Sequence, residues 1–123
     1  MNVKVGANLI FVNNIEKSKT WYEKVFGMKQ VAYRPPEFLE MKLGKNIFYI
    51  ETHSDRRAEG FKKAYIGGRF SIVFRVKDVS KFINEAKKKG VKVIVEPVQQ
   101  FWGGWTACIA DPDGNEFIID DGN

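Results

Sequence analysis

ANLIFVNNI at residues 7–15 can be laid over SIVFRVKDV at residues 71–79. Both stretches begin with β-branched and aromatic residues, the composition of a strand. Both then reach a short polar side chain, Asn14 or Asp78, that can accept from the orphan N–H groups of a first helical turn. Apolar residues follow at helical spacing: Ile15, Tyr22, Val25 and Phe26 in the first copy, and Val79, Phe82, Ile83 and Ala86 in the second. Gly27 and Gly90 stand where each helix should stop, since glycine takes a left-handed C-terminal conformation at little cost.

Strand-like stretches follow each helix, near 28–34, 37–43 and 46–53 in the first half and near 91–97, 105–110 and 115–120 in the second. Turns are expected at Pro35-Pro36, at Gly44-Lys45-Asn46 and at Asp111-Pro112-Asp113-Gly114, where proline presets φ and glycine accepts a positive one. The polar connector SDRRAEGFKKAYIGG, residues 54–68, reads as a linker with room for one helical turn. The chain therefore reads as α+β. One domain, 1–123, is made of a βαβββ module at about 3–53, the linker, and a second module at about 69–120. A unit this small cannot cover both faces of its sheet, so one face takes the helix and the other must meet something else.

Composition narrows the function classes. The chain has 123 residues, 44% hydrophobic and 28% charged, which excludes collagenous, disordered and disulfide-stapled architectures. No apolar run approaches the roughly 20 residues of a membrane span, and the N-terminal stretch has no secretory h-region, so no membrane partner is expected. The single cysteine, Cys108, has no internal partner and fits a cytoplasmic, reducing setting. In a strand with apolar neighbours it reads as a small buried hydrophobe. The net charge of +5 comes from scattered residues, and the one dense run, Lys87-Lys88-Lys89, sits at a helix end where cations oppose the macrodipole. No nucleic-acid-binding spacing is present, so no nucleic-acid partner is expected.

The βαβββ-βαβββ order, the stretch FVNNIEKSKTWYEKVFGM (11–28) and the close ADPDGNEFIID (110–120) resemble the vicinal oxygen chelate superfamily, which includes glyoxalase I, fosfomycin-resistance enzymes, extradiol dioxygenases and bleomycin-resistance proteins. The resemblance implies a curved, cup-like mixed sheet with the helices outside, and commonly a homodimer. It also implies a metal site of two His and two Glu, whose positions fall here on Ala7, Glu51, Ser71 and Ile118. Only Glu51 would bind a cation well, whereas catalytic metal sites usually need at least three such donors. His53, the only histidine, would share a strand face with Glu51. It is either part of a rescued site or a histidine at a strand end. Asp111 and Asp113 read as turn formers. The expectation is a chain with no metal and no cofactor.

What remains is the face that the resemblance makes concave. Alternation assigns Ala7, Leu9, Phe11, Tyr49, Glu51, Ser71, Val73, Arg75 and Ile118 to it, an apolar and aromatic lining that suits a small-molecule pocket or an ordinary core. The loop FWGGW, residues 101–105, sets three aromatics around two glycines. Trp102 and Trp105 either stack on a ligand at a cavity mouth or plug an interface. Trp21 reads as core or dimer packing. Arg75 either meets an anionic ligand or pairs with a carboxylate such as Glu51. Phe38 and Tyr33 either form a rim or make cross-strand pairs. With one histidine, no Ser-His-Asp triad can be assembled.

The expected function is metal-independent binding and sequestration of an aromatic or amphipathic compound, as resemblance to the bleomycin-resistance proteins implies, with antibiotic resistance as the setting. The expected ligand-binding residues are Trp102, Trp105, Phe101, Tyr49, Glu51, Arg75, Phe38 and His53, with none assigned to catalysis. The alternatives are a metal-dependent lyase, transferase or dioxygenase of the same superfamily, and a protein-interaction module that uses FWGGW as its contact patch.

Overall fold

In the computed structural model, which describes residues 1–123, the chain divides into two compact units, Met1–Ile66 and Gly67–Asn123. The first contains β1 (Asn8–Phe11), α1 (Ile15–Phe26), β2 (Lys29–Arg34), β3 (Phe38–Leu43) and β4 (Asn46–Glu51). The second contains β5 (Gly68–Arg75), α2 (Val79–Lys88), β6 (Lys92–Gln99), β7 (Trp105–Ala110) and β8 (Asn115–Asp120). Each is a four-stranded mixed sheet, ordered β1-β4-β3-β2 in one and β5-β8-β7-β6 in the other. In both, the first strand runs parallel to the last and the other pairs are antiparallel. The βαβββ repeat is therefore real, down to the strand order.

The caps act as their side-chain chemistry dictates. Asn14 Oδ1 accepts from the Lys17 amide at 2.9 Å, and Asp78 Oδ1 accepts from the Lys81 amide at 3.0 Å. Gly27, at φ 72°, closes α1 in the left-handed region and returns its amide to the Glu23 carbonyl. In α2 the capping residue is Lys89, and Gly90 takes the left-handed turn just beyond it, at φ 79°. Each helix lies on one face of its own sheet. Ile10, Leu39, Met41, Phe48 and Ile50 bury that face in the first unit, with Ile15, Tyr22 and Val25 of α1 against them. Ala107, Ile109, Phe117 and Ile119 do the same in the second, under Val79, Ile83 and Ala86. Trp21 joins a ring cluster on α1, 4.9 Å from Tyr22 and 5.5 Å from Phe26 between centroids.

Three boundaries differ from the sequence reading. β4 ends at Glu51 rather than near 53, β6 runs on to Gln99, and β5 begins at Gly68 inside the expected linker. The linker contains turns and bends but no helix. Its arginines pin it to the first unit: Arg57 holds Glu51 at 2.7 Å and donates to the Thr52 carbonyl at 2.9 Å, and Arg56 holds Glu37 at 2.8 Å. A polar composition alone does not reveal such anchoring.

The turn before β8 is built around one carboxylate. Asp111 is 4% exposed. Its Oδ1 accepts from the amides of Asp113 and Asn115, both at 2.9 Å, and its Oδ2 accepts from Asn115 Nδ2 at 2.8 Å. Asn115, itself fully buried, accepts at Oδ1 from the Gly67 amide at 2.8 Å, which fixes the entry to β5. Gly114 supplies the positive φ, 83°, that the turn needs.

Candidate functional site

Strand alternation sorts each sheet into two faces. Along β8 the odd residues Phe117 and Ile119 go under α2, while Glu116, Ile118 and Asp120 go to the other face and stay partly accessible. Registry brings Val73 beside Ile118 on one side and Cys108 beside it on the other, with Val95 next to Cys108. These residues form the floor of a cavity of about 290 Å³, with Arg69, Gln100, Trp102, Thr106 and Asp120 on its walls. Val73 is 45% exposed and Val95 40%, so these two residues of the floor stay open within the second unit.

The polar groups sit at the two ends. At one, Arg69 pairs with Glu116 Oε1, its Nη2 at 3.1 Å and its Nε at 3.2 Å. The Cys108 thiol lies against the same oxygen at 3.8 Å. Burial pushes that thiol upward in pKa, partly offset by the Arg69 charge. At the other end, Arg75 meets Asp120 in a two-pronged pair, Nε to Oδ1 at 2.9 Å and Nη2 to Oδ2 at 3.1 Å. The carboxylate facing Arg75 is thus Asp120, its registry neighbour, and Glu51 pairs with Arg57 instead. Gln100 Nε2 donates to Thr106 Oγ1 at 2.8 Å. Of these residues the sequence reading named Trp102, Arg75, Val73 and Ile118. It missed Arg69, Glu116 and Asp120, and did not put Cys108 on the cavity floor, although the every-second-residue spacing of Glu116, Ile118 and Asp120 carries the signal.

The FWGGW loop splits. Trp102 lines the cavity and packs edge-to-face on Phe101, with centroids 4.8 Å apart, while Phe101 itself projects almost fully into solvent. Trp105 opens β7 and lines a different groove beside the start of α2, with Lys77, Asp78, Ser80 and Asp121. The split follows from parity: Thr106 and Cys108 face the cavity, so Trp105 faces away. Gly104 is required between them, because a Cβ there would land on the Asn123 carbonyl and the Trp102 indole nitrogen. The Asp121 carboxylate accepts from the Trp105 amide at 3.3 Å and from the Asn123 amide at 3.1 Å. Backbone donors, Asn123 first, hold its pKa below the usual aspartate range.

The remaining candidates lie in the first unit. Phe38 and Tyr49 are ring neighbours at 5.1 Å on the sheet face away from α1, beside Glu51. His53 lies beyond the end of β4, so strand alternation does not carry it to the Glu51 face. It lines a separate groove of about 400 Å³ with Tyr33, Pro35, Pro36 and Thr52, its Nε2 3.0 Å from Asp55 Oδ1. Hydrogen bonding to Glu16 raises the Tyr33 hydroxyl pKa there.

Two βαβββ units, each with one helix on one face of a four-stranded mixed sheet, define the fold class. Residues 4–119 match the Glyoxalase/Bleomycin resistance protein/Dioxygenase superfamily, and the chain belongs to it. It is 25% identical over 123 residues to the uncharacterized protein YetH of Bacillus subtilis (strain 168), covering 94% of this chain and 96% of YetH. Among solved structures it resembles a lactoylglutathione lyase from Agrobacterium tumefaciens, with a TM-score of 0.80 at 18% identity over 98% of this chain and 95% of that one. It also resembles TioX from Micromonospora sp. ML1, with a TM-score of 0.76 at 12% identity over 95% and 98%. At such identities these likenesses speak for the fold alone. No helix is long and apolar enough to cross a membrane.

The four positions that the superfamily resemblance assigns to a metal do not fit one. Ala7 and Ile118 carry only hydrocarbon, and Ser71 a neutral hydroxyl. The Glu51 carboxylate is engaged by Arg57 at 2.7 Å. No three His, Cys, Asp or Glu side chains gather closely enough to supply an alternative donor set.

Proposed function

We propose that this chain is a metal-independent binding protein that sequesters an aromatic or amphipathic small molecule on the open face of the β5–β8 sheet. One observation carries the reading: an apolar floor of Val73, Val95, Cys108 and Ile118 in the second unit, with Val73 and Val95 accessible and the half-exposed Trp102 beside it. Planar ligands gain about 0.5–1.5 kcal/mol per aromatic contact beyond simple burial. The donor-poor Ala7, Ser71 and Ile118 support metal independence, because a Lewis-acid step requires an ion held by several anionic or imidazole ligands. Within this reading Trp102 is the stacking residue and Phe101 its edge-on support. Arg75 is a polar anchor already oriented by Asp120. Tyr49 and Phe38 form an aromatic surface on the first unit with the Glu51 carboxylate beside it, while Trp105 and His53 have subsidiary roles in their own grooves. A homodimer belongs to the same proposal: Leu9 is 44% exposed on the first unit's sheet, an apolar surface that a partner copy would cover. A cytoplasmic location is supported by the free thiol of Cys108.

The test of metal independence is the thermal midpoint of chelator-stripped protein with excess Ni²⁺, Zn²⁺, Mn²⁺ or Fe²⁺. A specific site filled at 100 times its dissociation constant adds about 2.7 kcal/mol, which for a domain of this size raises the midpoint by about 10 °C. The proposal expects no such rise with any of the four ions. A rise that disappears in Glu51→Gln overturns it in favour of a metal-dependent enzyme.

A further inference from the structure

The β5–β8 cavity sets the Arg69 guanidinium on the wall of an apolar floor, and this bears on which ligands it selects. The argument rests on the binding function proposed above. A guanidinium carries five N–H donors, and Arg69 spends its Nε and Nη2 on Glu116. Its remaining N–H groups meet no second carboxylate, only the Cys108 thiol, a weak acceptor. The acceptor it meets is crowded: Glu116 Oε1 takes Arg69 twice and faces the Cys108 thiol as well. At the far end both Asp120 oxygens are occupied by Arg75. The Thr106 hydroxyl oxygen is taken by Gln100. A molecule entering the cavity therefore meets N–H donors at Arg69 and at the half-exposed Trp102 indole, both on its walls.

The spacing is equally specific. Glu116, Ile118 and Asp120 are alternate residues of β8, so the two ion pairs are separated by on the order of 13 Å of strand. Val73, Cys108 and Ile118 fill the interval with apolar surface. The chain's net charge of +5 adds a long-range field that draws anions toward it.

We infer that the cavity selects planar aromatic compounds bearing one anionic carboxylate- or sulfonate-type group, the rings lying over Val73, Ile118 and Trp102 and the anion at Arg69. The group is held by charge-assisted hydrogen bonds from the guanidinium, which favours arginine over lysine at this position. Glu116 orients Arg69 and makes the pocket electrically neutral before the ligand arrives.

Two fluorescent probes with closely related ring systems provide the test, used on chelator-treated full-length protein: 1-anilinonaphthalene-8-sulfonate and the uncharged N-phenyl-1-naphthylamine. The expected result is tighter binding of the sulfonate by about tenfold, the change that one charge-assisted hydrogen bond is worth. That preference disappears in Arg69→Gln and in the charge-neutral double variant Arg69→Gln/Glu116→Gln, while affinity for the uncharged probe stays within about twofold. Lys88→Gln, which removes the same charge from the end of α2, keeps the preference. Equal affinities for the two probes, a preference that survives both Arg69 variants, or an equal loss in Lys88→Gln each overturns the inference while leaving the binding function standing. Failure of both probes to bind overturns the binding function itself.

Discussion

Replacing Asp111 by Ala tests how the second unit is held together. The substitution removes the acceptor for three donors at once: the amides of Asp113 and Asn115 and the side-chain amide of Asn115. Asn115 is fully buried, so its two donors are left without water. An unsatisfied buried donor costs about 1–3 kcal/mol, so the pair implies a loss of about 2–6 kcal/mol, with the Asp113 amide turning to solvent at little cost. Marginal stability of about 5–15 kcal/mol makes that a large fraction of the whole. Asp111→Asn keeps an acceptor for the backbone amides and loses only the bond from Asn115 Nδ2, so it should cost roughly a third to a half as much. Urea unfolding followed by far-ultraviolet circular dichroism measures both. The double variant Asp111→Ala/Asn115→Ala should fall well short of the sum of the singles, because the two residues share their bonds. A loss below about 1 kcal/mol for Asp111→Ala, or strict additivity, would refute the account of this turn.

Two further outcomes follow from local chemistry. The Ser18 hydroxyl is buried in α1 without a partner, so Ser18→Ala should raise stability by about 1 kcal/mol, visible as a higher urea midpoint at unchanged slope. The Arg56 hydrogen bond holds the Glu37 carboxyl below its usual pKa. Its stabilising effect is therefore present above the ordinary carboxylate range and lost as pH falls through the lowered folded value. A small stability difference between wild type and Arg56→Gln at neutral pH should vanish in strong acid, and a difference that persists there contradicts the pairing.

Much of the architecture is legible in the sequence because short-range rules act alone there. Asn14 and Asp78 cap by side-chain chemistry, the helical stripes face their own sheets, and Asp111-Pro112-Asp113-Gly114 turns because each residue suits its position. The site is less legible, since it depends on parity and on where strands stop. A loop that reads as one aromatic cluster divides because β7 begins at Trp105, sending that ring to the helix side and leaving Trp102 with the cavity. His53 falls outside alternation because β4 ends two residues earlier. The choice of partner for Arg75 follows from parallel registry with Asp120, which spacing along the chain does not encode. The linker arginines are invisible to composition for a related reason: Glu37 borders β3 and Glu51 ends β4, and which of these carboxylates each arginine meets is set only by folding.

The most direct measurement of the central claim is the affinity of chelator-treated protein for N-phenyl-1-naphthylamine, compared among wild type, Trp102→Ala and Trp105→Ala. A metal-independent site on the β5–β8 face predicts saturable binding without added metal. It also predicts a loss of at least about fivefold in Trp102→Ala, from the lost stacking contact and buried area, with Trp105→Ala close to wild type. Binding that requires a divalent ion, or that weakens in Trp105→Ala and not in Trp102→Ala, would contradict it.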